Sequence, residues 1–527
     1  MKQVSPLEEN RLKQRPKLPK ILEDIQKISC LKGDATESIS DKEEVQKIFP
    51  KTFGRPLITL KPGESGEKRQ LKVGVVFSGG QASGGHNVIA GLFDALKALN
   101  KDSHLFGFLG GPSGIVENER KEMTDDLLKA YRNTGGFDLI GSGRTKIETD
   151  DQKKASLAAC SDLDGLVIIG GDDSNTNAAV LAEYFLEEGS KCSVVGVPKT
   201  IDGDLNNEHI EVSFGFDTAT KTYAEMIGNI ERDALSAKKY YHFIRVMGRS
   251  ASHIALECAL KTRPNMTLLS EEVALKKETL QNIISSIADM IQKRADEKKN
   301  YGVVLIPEGI IEFIPEIKTL ISELNQLLAD GKNEEGLSGD SKRVFESLPS
   351  EIQQQLLIDR DPHGNVQVSK IETQSLVLSM VKEELKKRGD IKFNGVSHFF
   401  GYEGRACMPS CFDGNYCYSL GFVAALLIQN EMTGYMASVY DLDNPPEEWK
   451  IKGVPITMMM NMEKRHGKNK PVIRKALVDL DGKAFKAFEK DRMSWALEDH
   501  YQFPGPIQFF GGPEITDSKP LCFFSFS

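Results

Sequence analysis

The chain has 527 residues, 40% of them apolar and 27% charged, with 67 Lys and Arg against 76 Asp and Glu. That length holds two ordinary domains with some to spare, and the composition is that of a globular protein, not a disordered or fibrous one. A net charge of −9 argues against a general nucleic-acid or membrane-surface binder, although an acidic chain can still gather its basic groups in one cleft.

Taken from the N-terminus, residues 1–20 are polar and lack the apolar stretch of a secretory signal. No run reaches the roughly 18 apolar residues of a membrane span. Leu420–Ile428 comes nearest and reads as a buried helix. A cytoplasmic protein without membrane or nucleic-acid partners is expected. Residues 1–70 carry little strand pattern and end in the turn-rich Lys61-Pro62-Gly63-Glu64-Ser65-Gly66, so they are expected to form an arm packed on a core that begins at Leu71.

Leu71–Phe77 is a short apolar run followed by Ser78-Gly79-Gly80, as in a parallel strand buried on both faces. Ile89, Leu92, Phe93, Leu96 and Leu99 then repeat at helical spacing. The strand, glycine loop and helix recur. Strand-like runs follow at Leu105–Phe108, Leu166–Ile169, Val194–Val197, Tyr241–Met247, Gly302–Ile306 and Val396–Phe400. Helical faces are predicted over Leu280–Ile291 and Ile317–Leu328, whose apolar residues follow the i, i+3, i+4, i+7 rule. This alternation predicts an α/β protein with parallel sheets covered by helices on both sides. Residues from about 315 to 375 include a polar loop and helical segments, expected as an insertion decorating the second domain. Asp441–Glu448 reads as a turn or linker. Of the eight cysteines, Cys407, Cys411 and Cys417 cluster, but without paired zinc-ligand spacing, and are expected to be structural thiols.

The chemistry gathers at strand ends. Gly170-Gly171-Asp172-Asp173 and Pro198-Lys199-Thr200-Ile201-Asp202-Gly203-Asp204 each follow a buried-strand run, where α/β sheets usually place their sites. Glycines let a backbone approach a bulky anion, and carboxylates beside a phosphate imply a hard cation such as Mg²⁺ between them. Metal-assisted phosphoryl transfer is the expected reaction type. The loop from Ser78 to Asn87 has neither a Walker A lysine nor a G-x-G-x-x-G pattern, and a structural turn competes with phosphate binding there. Asp172 and Asp173 could equally cap a helix. Met247-Gly248-Arg249 offers a guanidinium to a phosphate, Pro307-Glu308-Gly309 a carboxylate to a sugar hydroxyl, and Tyr402-Glu403-Gly404-Arg405 combines a hydroxyl, glycine and guanidinium. Met458-Met459-Met460 is expected in a core, and Lys464-Arg465-His466-Gly467-Lys468-Asn469-Lys470 in a solvated loop.

The order of these motifs, from about Leu71 to Arg405, resembles the phosphofructokinase family, and Gly434-Tyr435-Met436 and Lys470-Pro471-Val472-Ile473 are similar to its long form. Asp173 where ATP users carry glycine, together with Lys199, resembles the pyrophosphate-dependent branch. A carboxylate where a nucleotide α-phosphate would sit repels it and fills its space.

The resemblance implies two Rossmann-like α/β domains with the active site in the cleft between them. Residues 71–212 with about 402–447 would bind pyrophosphate and Mg²⁺, and residues 213–401 with about 448–527 the sugar phosphate. It further implies Mg²⁺ on Asp172, pyrophosphate at Gly79, Gly80 and Arg144, and catalysis by Asp173, Lys199 and the general base Asp202. Fructose 6-phosphate would meet Thr200, Ile201, Asp202, Met247, Gly248, Arg249, Glu308, Tyr402, Glu403, Gly404 and Arg405, the last on the 6-phosphate. Lys239 and Tyr240 match positions that serve a neighbouring subunit, implying a homodimer. The expected reaction is reversible phosphorylation of fructose 6-phosphate, in glycolysis or gluconeogenesis. An ATP-dependent or other Gly-Gly-Asp kinase, and a catalytically silent regulatory subunit, are the alternatives.

Overall fold

The apolar runs singled out above form the centres of two sheets in the computed structural model, which describes residues 5–64, 68–360, 365–465 and 468–525. Ser65, Gly66, His466 and Gly467, and the first four residues of the expected arm, lie outside the described residues. The chain divides into two units. The first holds residues 1–219, 403–476 and 508–519, and the second 220–402, 477–507 and 520–527.

In the first unit nine strands run in the order Ile28–Ala35, Pro56–Pro62, Lys450–Pro455, Tyr435–Tyr440, Ser193–Pro198, Gly165–Gly170, Lys72–Phe77, His104–Phe108 and Arg120–Glu122. The centre is parallel, from Tyr435–Tyr440 to His104–Phe108, and both edges are antiparallel. Gly165–Gly170 and Ser193–Pro198 are buried at every position, because helices cover both faces. On one face Leu166, Ile168, Val194 and Met436 share a core with Ala178, Ala182 and Phe185 of helix Asp172–Glu187. On the other, the space where a Gly165 Cβ would stand meets Ile428 of helix Cys411–Gln429 at 2.7 Å. That helix crosses Gly85–Leu99 so closely that a Cβ on Gly91 would lie 2.1 Å from the Tyr418 carbonyl oxygen, a contact only glycine permits. Among the described residues Cys411–Gln429 alone is long and apolar enough to cross a membrane, and it is buried within the protein. The apolar run understated its length, since its first turns carry Asp413, Asn415 and Tyr416.

Three expectations need correction. Residues 1–70 contribute more than an arm, since their strands Ile28–Ala35 and Pro56–Pro62 extend the sheet through Lys450–Pro455. The first of these strands is mostly exposed and polar, so the alternation that marks a strand was weak. The division of the C-terminal third also differs from the expected one. Lys450–Pro455 pairs with Tyr435–Tyr440, which draws residues 448–476 into the first unit. Lys464–Lys470, expected as a loop, lies mainly in a hairpin of Met460–Arg465 with Lys468–Ile473.

The second unit is built on four parallel strands in the order Gly395–Phe400, Tyr241–Val246, Gly302–Pro307 and Met266–Thr267. Ile283, Ile284 and Ile287 of helix Leu280–Asp296 and Ile317, Leu320 and Leu324 of helix Pro315–Ala329 bury the faces their spacing predicts. Helices Gly339–Ser347, Ser350–Ile358 and Thr373–Arg388 follow, and Phe345, Ile352, Leu356, Leu376 and Val381 join the same core.

Candidate active site

Register brings the first unit's motifs together. Phe77 lies opposite Ile169, and Gly170 opposite Pro198, so three parallel strands end side by side. The chain after each strand is held by its neighbour. Ser78 N–H donates to the Ile169 carbonyl (2.9 Å), Gly79 N–H to the Gly143 carbonyl (2.9 Å), and Lys199 N–H to the Gly170 carbonyl (3.0 Å). Ser142 Oγ donates to the Gly79 carbonyl (2.7 Å), and Ser174 Oγ to Ser78 Oγ (2.8 Å). Gly79 adopts φ 88°, which favours glycine. The fully buried Asn175 donates Nδ2–H to the carbonyls of Gly170 (2.6 Å) and Gly171 (2.9 Å), fixing the turn into helix Asp172–Glu187. Buried Glu183 on the same helix accepts from the N–H groups of Lys51 (2.6 Å) and Thr52 (2.9 Å), tying the N-terminal segment to it.

Three cations converge over this floor. A Cβ placed on Gly79 would lie 3.4 Å from Lys199 Nζ, and one on Gly80 3.6 Å from Arg405 Nη1 and 3.7 Å from Arg144 Nη2. The guanidinium of Arg405, which the resemblance assigned to the sugar 6-phosphate, stands beside that of Arg144 against the glycine loop. Lys199 is only 6% exposed. Burial brings its pKa down to about 8, against the pull of Asp202 and Asp172, while Arg144 and Arg405 add to the lowering.

Of the acids, Asp202 and Asp172 lie near enough to Lys199 to favour its charge. Asp172 and Asp173 occupy the first helical turn, where the helix dipole favours negative charge. Asp172 Oδ2 is buried and accepts no hydrogen bond. Asp173 is half-exposed and pairs with Lys146 at 3.4 Å. Asp202 N–H donates to Thr200 Oγ1 (3.1 Å), and Ser213 Oγ to the Thr200 carbonyl (3.1 Å), while Ile201 is buried. Burial, followed by the charge of Asp202, pushes the carboxyl of Asp204 up to about 7, with Lys475 pulling the other way.

Lys475 and Lys146 escaped the sequence reading. Lys475 Nζ lies 3.7 Å from both Asp172 Oδ2 and Asp204 Oδ2. Burial works against its charge, but Asp172, Asp204, Asp202 and Asp173 outweigh burial and hold its pKa up. Its nearness in sequence to Lys470-Pro471-Val472-Ile473 was the one available signal.

In the second unit, strands Tyr241–Val246, Gly302–Pro307 and Gly395–Phe400 also end in register, with Pro307 and Phe400 both opposite Val246. Glu308 N–H donates to the Val246 carbonyl (3.0 Å) and Gly309 N–H to the Gly248 carbonyl (3.2 Å). A Cβ on Gly309 would lie 1.8 Å from the Arg249 carbonyl oxygen, so the two loops touch along their backbones. Met247 is buried, Gly248 takes φ 121°, Arg249 is exposed and Glu308 buried. Burial lowers the pKa of Arg245, with Glu308 the foremost influence opposing it. Tyr402 is exposed, at the start of the short helix Tyr402–Ala406, which also carries exposed Glu403 and buried Gly404. Lys239 and Tyr240 do not join this group. They precede Tyr241–Val246, at the end of that strand opposite to Met247, with Lys239 Nζ 5.4 Å from the Tyr240 ring centroid.

Comparison with known proteins bears on the assembled geometry. The phosphofructokinase family model matches residues 72–428. A pyrophosphate–fructose 6-phosphate 1-phosphotransferase of Treponema pallidum (strain Nichols) is 52% identical, over 98% of this chain and 96% of that protein. One of the same name from Porphyromonas gingivalis is 52% identical over 97% of each. In fold the chain is similar to the crystal structure of pyrophosphate-dependent phosphofructokinase from Nitrosospira multiformis, with TM-score 0.55 and 18% identity over 85% of this chain and 96% of that one. The family match spans both groups of strand-end loops, and half of all residues are shared with relatives along nearly their whole length, so the chain belongs to the phosphofructokinase family.

Proposed function

We infer that the chain transfers a phosphoryl group from pyrophosphate to the 1-hydroxyl of fructose 6-phosphate, releasing phosphate and fructose 1,6-bisphosphate, reversibly. The observation that carries this reading is the convergence of Lys199, Arg144 and Arg405 on Gly79 and Gly80, beside Asp172 and Asp173. It is an anion site with an acid edge. The relatives named for this reaction support it over almost the full chain.

Mg²⁺ fits the residues present. Asp172 Oδ2 is a buried hard donor that accepts no hydrogen bond. Among the described residues no group of three or more His, Cys, Asp or Glu suits a metal ion. Mg²⁺ keeps several waters and binds through one or two carboxylates plus substrate phosphates, so the one buried Asp172 oxygen is a sufficient anchor. When bound at Asp172, Mg²⁺ would neutralise charge on the diphosphate oxygens.

The chain's own residues do the rest. The backbone of Gly79 and Gly80 and the side chain of Arg144 hold the diphosphate. Lys199 draws charge from the transferring group in a buried setting, where a fixed cation acts strongly. Asp202 takes the proton from the sugar hydroxyl as it attacks in line, and an ordinary carboxylate suffices if that proton leaves late in a loose transition state. Asp173 repels a nucleotide α-phosphate and so favours the smaller donor. Fructose 6-phosphate is bound by Thr200, Ile201, Asp202, Glu403, Gly404 and Arg405 in the first unit, with Arg405 on the 6-phosphate, and by Met247, Gly248, Arg249, Glu308 and Tyr402 in the second.

Lys239 and Tyr240 stand a six-residue strand, about 20 Å, from Met247. That distance supports their serving the sugar site of a second copy, hence a homodimer. A cytoplasmic location, where both small anions are soluble substrates, belongs to the same proposal. Purified protein given fructose 6-phosphate and Mg²⁺ should form fructose 1,6-bisphosphate rapidly with pyrophosphate and far more slowly with ATP. Equal rates with the two donors would overturn the assignment.

A further inference from the structure

Lys475 is fixed by its flanks to both acid-bearing segments. Ile473 N–H donates to Thr176 Oγ1 (3.3 Å) on helix Asp172–Glu187, and Ala476 N–H to the Asp204 carbonyl (2.7 Å) on the loop after Ser193–Pro198. Arg474 N–H donates to the Met459 carbonyl (3.0 Å), which ties the same segment to the base of its hairpin. The ammonium is thereby delivered between Asp172 and Asp204, with Asp202 and Asp173 near enough to favour its charge. It stands 3.7 Å from one oxygen of Asp172 and 3.7 Å from one of Asp204. At that distance it acts as a point charge, held by attraction to two carboxylates, and Lys binds in this way without a fixed fork geometry. The Asp172 oxygen it faces is the buried one that accepts no hydrogen bond.

We propose that Lys475 is a built-in counter-cation for Asp172, holding in the metal-free protein the place beside Asp172 Oδ2 that a divalent cation takes during turnover. The inference rests on reading Asp172 as the Mg²⁺ carboxylate. Without a cation, four neighbouring carboxylates repel one another, and Lys475 offsets that repulsion and keeps Asp172 aimed into the site. When a divalent ion arrives, Asp204 retains the displaced ammonium. Lys475 is therefore a positioning residue, and it makes the metal compete for its own ligand. Removing the lysine charge strengthens divalent binding to the free protein and leaves Asp172 less well held.

The test is a Mn²⁺ titration of the full chain without diphosphate, with free Mn²⁺ read by electron paramagnetic resonance. The proteins are native and Lys475→Met, Lys475→Gln and Lys475→Arg. The partly exposed side chain makes the glutamine variant the safer one for folding. Lys475→Met and Lys475→Gln should bind Mn²⁺ at least tenfold more tightly than the native protein, and Lys475→Arg should stay within that limit. Adding Asp172→Asn to Lys475→Gln should abolish the gain. Affinity that is unchanged, weaker or improved by less than tenfold in Lys475→Gln overturns the proposal, as does a gain that survives Asp172→Asn. A separate arm titrates native protein and Asp172→Asn with Mn²⁺ in the presence of pyrophosphate. Loss of the difference between those two refutes the assignment of Asp172 itself, whereas a preserved difference with no gain in Lys475→Gln refutes the role of Lys475 alone.

Discussion

Lys199→Met separates what the protein needs for chemistry from what it needs for folding. The amine is 6% exposed, and burial brings its pKa from the ordinary 10.5 to about 8, despite the attraction of Asp202 and Asp172. A fall of about 2.5 at 1.36 kcal/mol per unit means that keeping this charge in the folded protein costs about 3 kcal/mol. Met follows the side chain as far as Cε, lacks the terminal nitrogen and carries no charge, so the variant should be more stable by up to that amount at pH 7. The sign in pH follows from proton binding. Between about 8 and 10.5 the folded protein has released this proton and the unfolded chain still holds it, so native stability rises with pH across that window through this group. The variant lacks that rise. Turnover with pyrophosphate should fall by about 10²–10³-fold, the usual loss when a fixed electrostatic donor is removed. Denaturant midpoints at unchanged slope, measured on metal-free protein at pH 7 and across the alkaline window, give the stability arm, and steady-state kinetics the other. A variant at least 1 kcal/mol less stable than native would refute the argument from burial. One retaining half the native rate would refute the role in chemistry.

Three further substitutions probe the remaining parts. Asp202→Asn keeps size but cannot accept the proton, and kcat should drop about 10²–10⁴-fold while fructose 6-phosphate still binds by calorimetry; more than half the native rate would remove Asp202 as the base. Gly80→Ala meets only ordinary van der Waals contact, 3.6 Å from Arg405 Nη1 and 3.7 Å from Arg144 Nη2, so the thermal midpoint should hold while a methyl crowds the anion floor. Loss of one charge-assisted hydrogen bond there, about 1.5–3 kcal/mol, would raise KM for pyrophosphate about 10–100-fold, and an unchanged KM would move the donor elsewhere. Asp173→Gly releases Lys146 and removes the carboxylate facing a nucleotide α-phosphate, so the ratio of kcat/KM for ATP to that for pyrophosphate should rise about tenfold or more. No shift would leave Asp173 as a helix first-turn acid.

The strand-end loops were legible in the sequence because buried parallel strands are near-continuous apolar runs and the glycines after them punctuate the chain. That rhythm placed Gly79, Gly80, Asp172, Lys199 and Asp202 at strand ends, and only the family resemblance gave each of them a role. Lys475 did not announce itself, since its partners Asp172 and Asp204 lie far upstream and only the hairpin Met460–Ile473 brings it to them. Arg144 and Arg405 were each visible, but not their meeting over Gly80, because side-chain convergence from distant loops leaves no periodic trace. The strands at Ile28–Ala35 and Pro56–Pro62 were missed for a different reason. Ile28–Ala35 is an exposed edge strand with no buried face to write an alternating pattern, whereas Pro56–Pro62 is paired on both sides and buries only Ile58 and Leu60 in alternation, too short a signal beside its prolines and lysine.

Those two strands impose a schedule on the newborn chain. Ile28–Ala35 and Pro56–Pro62 leave the ribosome well before Lys450–Pro455, the strand they join through Thr59 opposite Lys452. In the interval the ribbon can pair only with itself, and a two-stranded hairpin is marginal in water. Tyr435–Tyr440, against which Lys450–Pro455 pairs, is also late, so the Ser193–Pro198 edge of the growing sheet waits unpaired while more than two hundred residues are made. An exposed row of backbone donors and acceptors invites association with other chains. Stalled synthesis before Tyr435 would therefore leave the backbone groups of Ser193–Pro198 on that side without their strand partner.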